Sequence, residues 1–163
     1  MPKAISTDFN NGDLLSKFIG SGVSFLLVGG AAVAFYGCRE NLHLSELDLL
    51  IDPAIQNAER VIAVLSTAGM QLWIRAEDLA GPKKQLPVKQ LLFDMDILTP
   101  AADEDFSAML VRSVQGTVNG GVVRVIARDD LIAMKRVAAN DATTDVEKHK
   151  RDLDCLTGQD FPP

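Results

Sequence analysis

The segment from Val28 to Asp52, VGGAAVAFYGCRENLHLSELDLLID, constrains the fold of this chain more than any other. An apolar run ends in Gly29-Gly30, and small apolar residues follow at a spacing typical of a short helix. After a polar loop, a second apolar strand carries Glu46 and Asp48 two positions apart. Because side chains in a strand alternate between the two faces of a sheet, both carboxylates are predicted to point the same way.

The rest of the chain alternates between helical and strand patterns, separated by turns rich in glycine, proline and asparagine. Helices are predicted at 13–20, 31–36, 53–68, 103–111, 131–139 and 145–156, and strands at 23–28, 46–51, 70–75, 88–98, 114–118 and 122–126. Residues 76–87 are predicted to form a loop, and the strand at 88–98 to pair with 70–75 as a hairpin. Trp73 and Phe93, at strand positions, are predicted to lie in the core.

These patterns predict an α/β (α+β) fold in which helices flank a mixed β-sheet. Asn119-Gly120-Gly121 between the last two strands is typical of a β-hairpin, so the sheet is not expected to be purely parallel. The length of 163 residues suits a single domain spanning 1–163. Within it we expect a core at about 23–126 and C-terminal helices at about 129–157.

A second acidic strand, LFDMDIL at 92–98, repeats the spacing of the first and carries Asp94 and Asp96. Either residue could join Glu46 and Asp48, since both share a face of the strand. Alternatively, all these acids face solvent. If three converge, two carboxylates about 5 Å apart repel by roughly 3 kcal/mol at an effective dielectric constant near 20. Such a cluster must take up a proton, stay in bulk water or hold a cation, and oxygen ligands favour Mg²⁺ or Mn²⁺ over zinc.

The glycine pair has two interpretations. Gly29-Gly30 lies where a strand passes into a helix, so its backbone N–H groups could contact a phosphate. A tight turn or close packing would also require glycine there. The pair is neither a dinucleotide-binding GxGxxG sequence nor a Walker A loop.

Taken together, these motifs resemble the nucleotidyltransferase superfamily, that of DNA polymerase β and the small prokaryotic nucleotidyltransferases. Its pattern matches Gly29-Gly30, Glu46-Leu47-Asp48 and the later Asp96, or else Asp94. The chain is especially similar to a group that includes abortive-infection toxins, which 129–135 and 150–156 also match, so the resemblance covers about 25–156. Two features depart from the pattern. Glu46 stands where aspartate is usual, and residues 31–45 make the interval before it longer than usual.

The resemblance implies a Mg²⁺-dependent enzyme that transfers a nucleoside monophosphate from a nucleoside triphosphate to a hydroxyl group. Glu46, Asp48 and Asp96 would be the catalytic metal ligands, and Gly29 and Gly30 would bind the triphosphate.

Two basic residues are further candidates for binding the nucleotide. Arg39 would contact a phosphate, or else is a solvated surface arginine. Lys135 lies on an apolar helix and would do the same, or else is a surface lysine or forms a salt bridge with Asp152. His43, in the same loop as Arg39, is interpreted as a surface histidine.

The acceptor is left open among RNA, a protein and a small molecule. A formal net charge of −6 disfavours long nucleic acid, and a homo-oligomer or a partner protein could complete the acceptor surface. Two other functions are considered. One is a catalytically inactive member of the fold that serves as a nucleotide-binding or protein-interaction module, which Glu46 and the long interval favour. The other is an unrelated α/β domain whose acids are surface groups.

Composition bounds the environment in which the chain is expected to work. Cys38 and Cys155 are the only cysteines, so no disulfide framework is predicted, and Cys38 is interpreted as a small loop or buried residue. No apolar run reaches the roughly 18 residues of a membrane span, and the N-terminal residues lack the apolar segment of a secretory signal. We therefore expect no membrane partner and a cytoplasmic location.

Overall fold

The computed structural model describes residues 2–90, 92–141 and 143–158. In chain order the elements are β1 (Ser6–Thr7), α1 (Phe9–Gly20), β2 (Phe25–Val28), α2 (Gly29–Phe35), β3 (His43–Leu44), β4 (Leu47–Ile51), α3 (Ile55–Thr67), α4 (Ala76–Leu79), β5 (Gln85–Val88), β6 (Met95–Leu98), α5 (Phe106–Arg112), β7 (Val114–Val118), β8 (Gly121–Val125), α6 (Arg128–Ala139) and α7 (Val146–Thr157). No helix in these ranges is long and apolar enough to cross a bilayer.

Six strands form one mixed sheet in the order β5-β6-β4-β2-β8-β7, and helices flank it. The pairs β4–β6 and β2–β8 are parallel, whereas β2–β4, β5–β6 and β7–β8 are antiparallel. The mixed α/β fold is confirmed, including the hairpin at 119–121 that predicted it. The short strands β1 and β3 form a separate parallel pair outside this sheet.

The core is built around the two central strands. All four residues of β2 are buried, as are all of β4 except Asp48. This explains why both strands are almost continuously apolar: each has helices or other core residues on both faces. Helix α2 packs against the same two strands, and its alanines are buried because only small side chains let a helix approach so closely.

The region at 70–98 differs from the sequence prediction. The strand at 70–75 is absent, and β5 and β6, within the stretches predicted as loop and strand, form the hairpin instead. Met70, Leu72 and Ile74 pack inward, so the alternation that suggested a strand is present. The backbone of Gln71, however, bonds to the side chain of Gln90 rather than to a neighbouring strand, with two hydrogen bonds of 3.1 Å.

The prediction that Trp73 lies in the core is also wrong. Its side chain is 93% exposed, because it points outward between the inward-facing neighbours on either side. Phe93, in contrast, is partly buried against the core.

A disulfide joins Cys38, in the loop after α2, to Cys155 on α7, with a Cα–Cα distance of 5.8 Å. Two cysteines alone implied no disulfide framework, so the sequence did not predict this single bond. The two cysteines are 117 residues apart in sequence, so only the tertiary fold brings them together. The bond fastens the C-terminal helix to the loop that leads toward the acidic strand.

Candidate active site

Three carboxylates meet at one edge of the central strands. Glu46 immediately precedes β4, Asp48 lies on β4, and Asp96 lies on β6. Asp48 and Asp96 are direct neighbours in the parallel register of these strands. One oxygen from each of the three acids lies within 4.8 Å of the others. The acids that the sequence singled out are thus close together, and their role as metal ligands stays a prediction.

Register decides which of the two later acids joins the cluster. Asp96 is inside β6 and faces Asp48, whereas Asp94 precedes the strand. Asp94 instead binds the ammonium group of Lys89. Asp96 is therefore the third member, and Asp94 is a neighbour of the site.

The cluster carries more negative charge than its environment stabilises. Burial, together with the negative charges of Glu46 and Asp96, raises the pKa of Asp48 to about 6. Burial and a hydrogen bond with Glu46 also raise the pKa of Asp96. When the pKa of a carboxylate is raised in this way, a cation that enters the cluster stabilises its ionised form.

Lys89, between β5 and β6, is a cation that the sequence pattern did not connect with the acids. Its Nζ donates to Glu46 Oε1 at 3.0 Å and lies 3.7 Å from Asp96 Oδ2. The hydrogen bond from Lys89 is the main reason why the pKa of Glu46 is lowered. The available signal was its place at the start of the connection that leads into the acidic strand.

Gly29 is explained by close packing against Asp48. It has a φ of 60°, and a Cβ atom there would overlap Oδ2 of Asp48 and lie 2.8 Å from its Cγ. At Gly30, an added Cβ would meet nothing nearer than Nη1 of Arg39, at 3.5 Å. The close-packing interpretation therefore accounts for the first glycine, and the predicted phosphate contacts of both stay predictions.

Arg39 and Lys135 share one buried carboxylate. Arg39 donates to both oxygens of Asp152, through Nε at 3.1 Å and Nη2 at 2.8 Å. Nζ of Lys135 lies 3.0 Å from Asp152, and the exposed fractions of these two side chains are only 8% and 5%. The solvated surface position considered for Arg39 is wrong, and the salt bridge considered for Lys135 is present.

This network holds a net positive charge close to the acids. Burial raises the pKa of Asp152, but the hydrogen bonds from Arg39 and the charge of Lys135 outweigh it and leave that pKa below its usual value. Burial and Lys135 lower the pKa of His149, whose Nδ1 accepts a hydrogen bond from Lys135 at 3.3 Å. The carboxylate of Asp152 thus pairs with two cations, Arg39 and Lys135. The positive charge of Lys135 also lowers the pKa of Asp48.

A cavity of about 290 Å³ lies between two of the acids, Glu46 and Asp48, and the basic side chains of Arg39 and Lys148. Its lining comprises Gly30, Arg39, Asn41, His43, Leu44, Ser45, Glu46, Asp48 and Lys148. Lys148 was not predicted as a site residue because it lies in a highly charged helix, where a lysine usually faces solvent. The signal was its position four residues before Asp152, which places both on one face of α7.

His43 lies at the rim of this cavity. Its side chain is 52% exposed, and its Nδ1 and Nε2 lie 2.9 Å from Ser6 Oγ and 2.8 Å from Asp8 Oδ1. Both ring nitrogens are occupied by surface partners, which agrees with the interpretation of a surface histidine.

Replacing Asp48 with asparagine is expected to raise the stability of the metal-free protein by about 3 kcal/mol at pH 7. The pKa of Asp48 is about 6 in the folded protein, against an ordinary value of 3.8. The ionised carboxylate of Asp48 therefore lowers the stability of the fold, by the full amount above pH 6. This loss of stability disappears as the pH falls toward 4. Urea denaturation at pH 7 and at pH 4 would measure the difference.

The matched control is Asp103→Asn, which removes an exposed carboxylate and should leave stability unchanged at both pH values. A stability gain in Asp48→Asn that is the same at pH 7 and pH 4 would contradict the electrostatic explanation.

Comparison with known proteins supports the fold. No protein-family model matches the sequence, and no curated protein matches it. Among solved structures, the chain is similar to the lincomycin-bound crystal structure of the lincosamide antibiotic adenylyltransferase LnuA, with a TM-score of 0.57. The match covers 96% of this chain and 99% of that chain, at 14% sequence identity. The relationship to the nucleotidyltransferase fold that the motifs suggested is confirmed.

Proposed function

We propose that this protein is a divalent-metal-dependent nucleotidyltransferase that transfers a nucleoside monophosphate from a nucleoside triphosphate to a hydroxyl group of a small molecule. The observation that carries the proposal is the convergence of Glu46, Asp48 and Asp96 within 4.8 Å. Two of these acids, Glu46 and Asp48, line a cavity that is also lined by Arg39 and Lys148, in a chain with a nucleotidyltransferase fold.

The residues fit a hard divalent cation. Two oxygens bound to one Mg²⁺ at 2.0–2.1 Å are at most about 4.2 Å apart, so a cluster spanning 4.8 Å closes with small side-chain rotations. All three donors are carboxylates, which Mg²⁺ and Mn²⁺ prefer. When bound, such an ion neutralises charge on the phosphates and makes the acceptor hydroxyl easier to deprotonate.

The chain's own residues supply binding and proton transfer. Arg39 and Lys148 bind phosphate oxygens in the cavity, and Asp152 holds the Arg39 guanidinium in position from behind. The acceptor oxygen forms a bond to the α-phosphorus while the bond to the leaving pyrophosphate breaks. Asp96 takes the proton of the acceptor hydroxyl, a role that suits a carboxylate whose pKa is raised.

A small acceptor is favoured over long nucleic acid. The formal net charge of −6 opposes binding to a polyanion. The similar structure is that of an adenylyltransferase bound to lincomycin, an acceptor of small-molecule size.

The decisive experiment is calorimetric titration of each of the four nucleoside triphosphates, with and without Mg²⁺. We expect one triphosphate to bind in a Mg²⁺-dependent way, and Asp48→Asn to weaken that binding by about 10–100-fold, since even outer-shell changes at metal sites have effects of this size. Asp103→Asn is again the control and should bind as the wild type does. If none of the four triphosphates binds in a Mg²⁺-dependent way, the proposal is wrong.

A second function, a nucleotide-binding module without transfer activity, is favoured by one observation. Glu46 precedes the strand, and its side chain is 51% exposed, so it is held less firmly than an acid within the sheet would be. The substitution Glu46→Asp separates the two functions. Labelled nucleotide transferred to a panel of hydroxyl acceptors by either the wild type or Glu46→Asp supports the enzyme, whereas binding without transfer in both supports the module.

A further inference from the structure

The ammonium group of Lys89 lies among the acidic residues of the site. It donates a hydrogen bond of 3.0 Å to Glu46 and one to Asp94, and it lies 3.7 Å from Asp96. An ammonium group has three N–H donors and no acceptor, so it can donate one hydrogen bond to each of three carboxylates. Lys89 therefore places a positive charge beside two of the three clustered acids, Glu46 and Asp96.

The connection that carries Lys89 is anchored on both sides. The side chain of Gln90 makes its two hydrogen bonds to the backbone of Gln71. The backbone N–H of Asp94 donates to Oδ1 of Asn11 at 2.9 Å, and Asn11 is only 1% exposed. These contacts hold Gln90 and Asp94 in position, so the neighbouring Lys89 is directed to the cluster by the fold.

Charge compensation within the site is uneven. Lys89 pairs with the acids on the β6 side, Asp94 and Asp96, and with Glu46. Within 2–90, 92–141 and 143–158, no lysine or arginine forms an ion pair with Asp48. The Asp48 side, next to Gly30 and the phosphate-binding residues of the cavity, is left for an external cation.

We propose that Lys89 takes the place of a second divalent ion beside Asp96, so that the protein binds one divalent ion, held by Glu46 and Asp48, instead of the two ions that the resemblance to the nucleotidyltransferase superfamily implies. This inference rests on the proposed function. Lys89 then acts on Asp96 directly, holding its carboxylate in position for the acceptor hydroxyl. A second divalent ion would have to displace the ammonium group and break its contacts with Glu46 and Asp94.

The test is the number of Mn²⁺ ions bound per chain, measured by the electron paramagnetic resonance signal of free Mn²⁺ during titration of the whole protein. We expect one ion in the wild type and two in Lys89→Met, which keeps the length of the side chain and removes its charge. Removal of a charge about 4 Å from the ligands should also tighten binding by at least about tenfold. Lys89→Arg, which keeps the charge, should bind one ion.

Lys84→Met is the matched control, since Lys84 is exposed and adjoins the start of the same hairpin. It should bind one ion with the affinity of the wild type. Two ions in the wild type, or an unchanged number and affinity in Lys89→Met, would overturn the inference and leave the proposed function intact. If neither the wild type nor Lys89→Met binds Mn²⁺ while both remain folded by circular dichroism, the proposed function fails as well.

Discussion

Replacing Asp152 with alanine is expected to lower the free energy of unfolding by about 3–5 kcal/mol, the cost of breaking a buried ion pair from one side. Its carboxylate is 5% exposed and accepts hydrogen bonds from both Arg39 and Lys135. Without it, the ammonium group of Lys135, on a side chain only 8% exposed, has lost its anionic partner. Urea denaturation of the wild type and the variant would measure the loss.

Asp154→Ala is the matched control for this substitution. Asp154 lies on the same helix, α7, and is exposed, so its replacement should change stability by less than about 0.5 kcal/mol. Equal losses in the two variants would show that the effect comes from the helix and not from the network. Nucleotide binding should also weaken in Asp152→Ala, because Arg39 is then free to turn away from the cavity.

Gly29→Ala is expected to destabilise the protein by about 2–5 kcal/mol, through two separate effects. A φ of 60° costs a residue with a Cβ atom roughly 1–2 kcal/mol. The added Cβ would also overlap the carboxylate of Asp48, and such overpacking typically costs about 1–3 kcal/mol. Thermal and urea denaturation would measure the total, and Mn²⁺ binding should be lost as Asp48 is pushed aside.

Gly30→Ala provides the comparison, since an added Cβ there meets only ordinary contacts. We expect a change of less than about 1 kcal/mol, because alanine is also the better helix former. Combining Gly29→Ala with Asp48→Ala should cost less than the sum of the single changes, since the clash with the carboxylate is removed. Fully additive losses would contradict the close-packing explanation.

Sequence patterns predicted the central strands and the β7–β8 hairpin well, because apolar patterning and turn residues close in sequence determine these elements. The apolar runs before Gly29 and at 47–51, the latter interrupted only by Asp48, lie in buried central strands, where burial and pattern agree. The glycines after Asn119 predicted the β7–β8 hairpin, because a residue with positive φ is needed in such a turn and Asn119 and Gly120 both adopt it. These features depend on neighbours in the chain.

The hairpin of β5 and β6 could not be predicted in the same way. Residues 70–75 have the alternation of a strand, but whether a strand forms depends on a partner, and the side chain of Gln90 takes that place. Pro87 lies in β5, which the sequence placed in a loop. The strand tolerates it because β5 is at the edge of the sheet, where one row of backbone groups has no strand to bond.

Some residues of the candidate site were predictable from local sequence patterns, whereas others depend on contacts between distant parts of the chain. Alternation within strands selected Glu46 and Asp48, but the choice of Asp96 over Asp94 depended on the register between β4 and β6. Lys89 reaches the cluster from the connection between β5 and β6, so its contact with Glu46 depends on how the strands pair. The pairing of Arg39 with Asp152 likewise joins residues 113 positions apart.

The disulfide shortens the effective separation between Arg39 and Asp152, which are 113 positions apart in sequence. Arg39 directly follows Cys38, and Asp152 lies three residues before Cys155, so the two charged groups are attached to opposite ends of one covalent bridge. In the chain-entropy model, closing a loop of about 100 residues lowers the conformational entropy of the unfolded chain and so raises its free energy by about 4.7 kcal/mol. The oxidised chain therefore holds guanidinium and carboxylate at high effective concentration even when unfolded, whereas the reduced chain must find this contact across 113 residues.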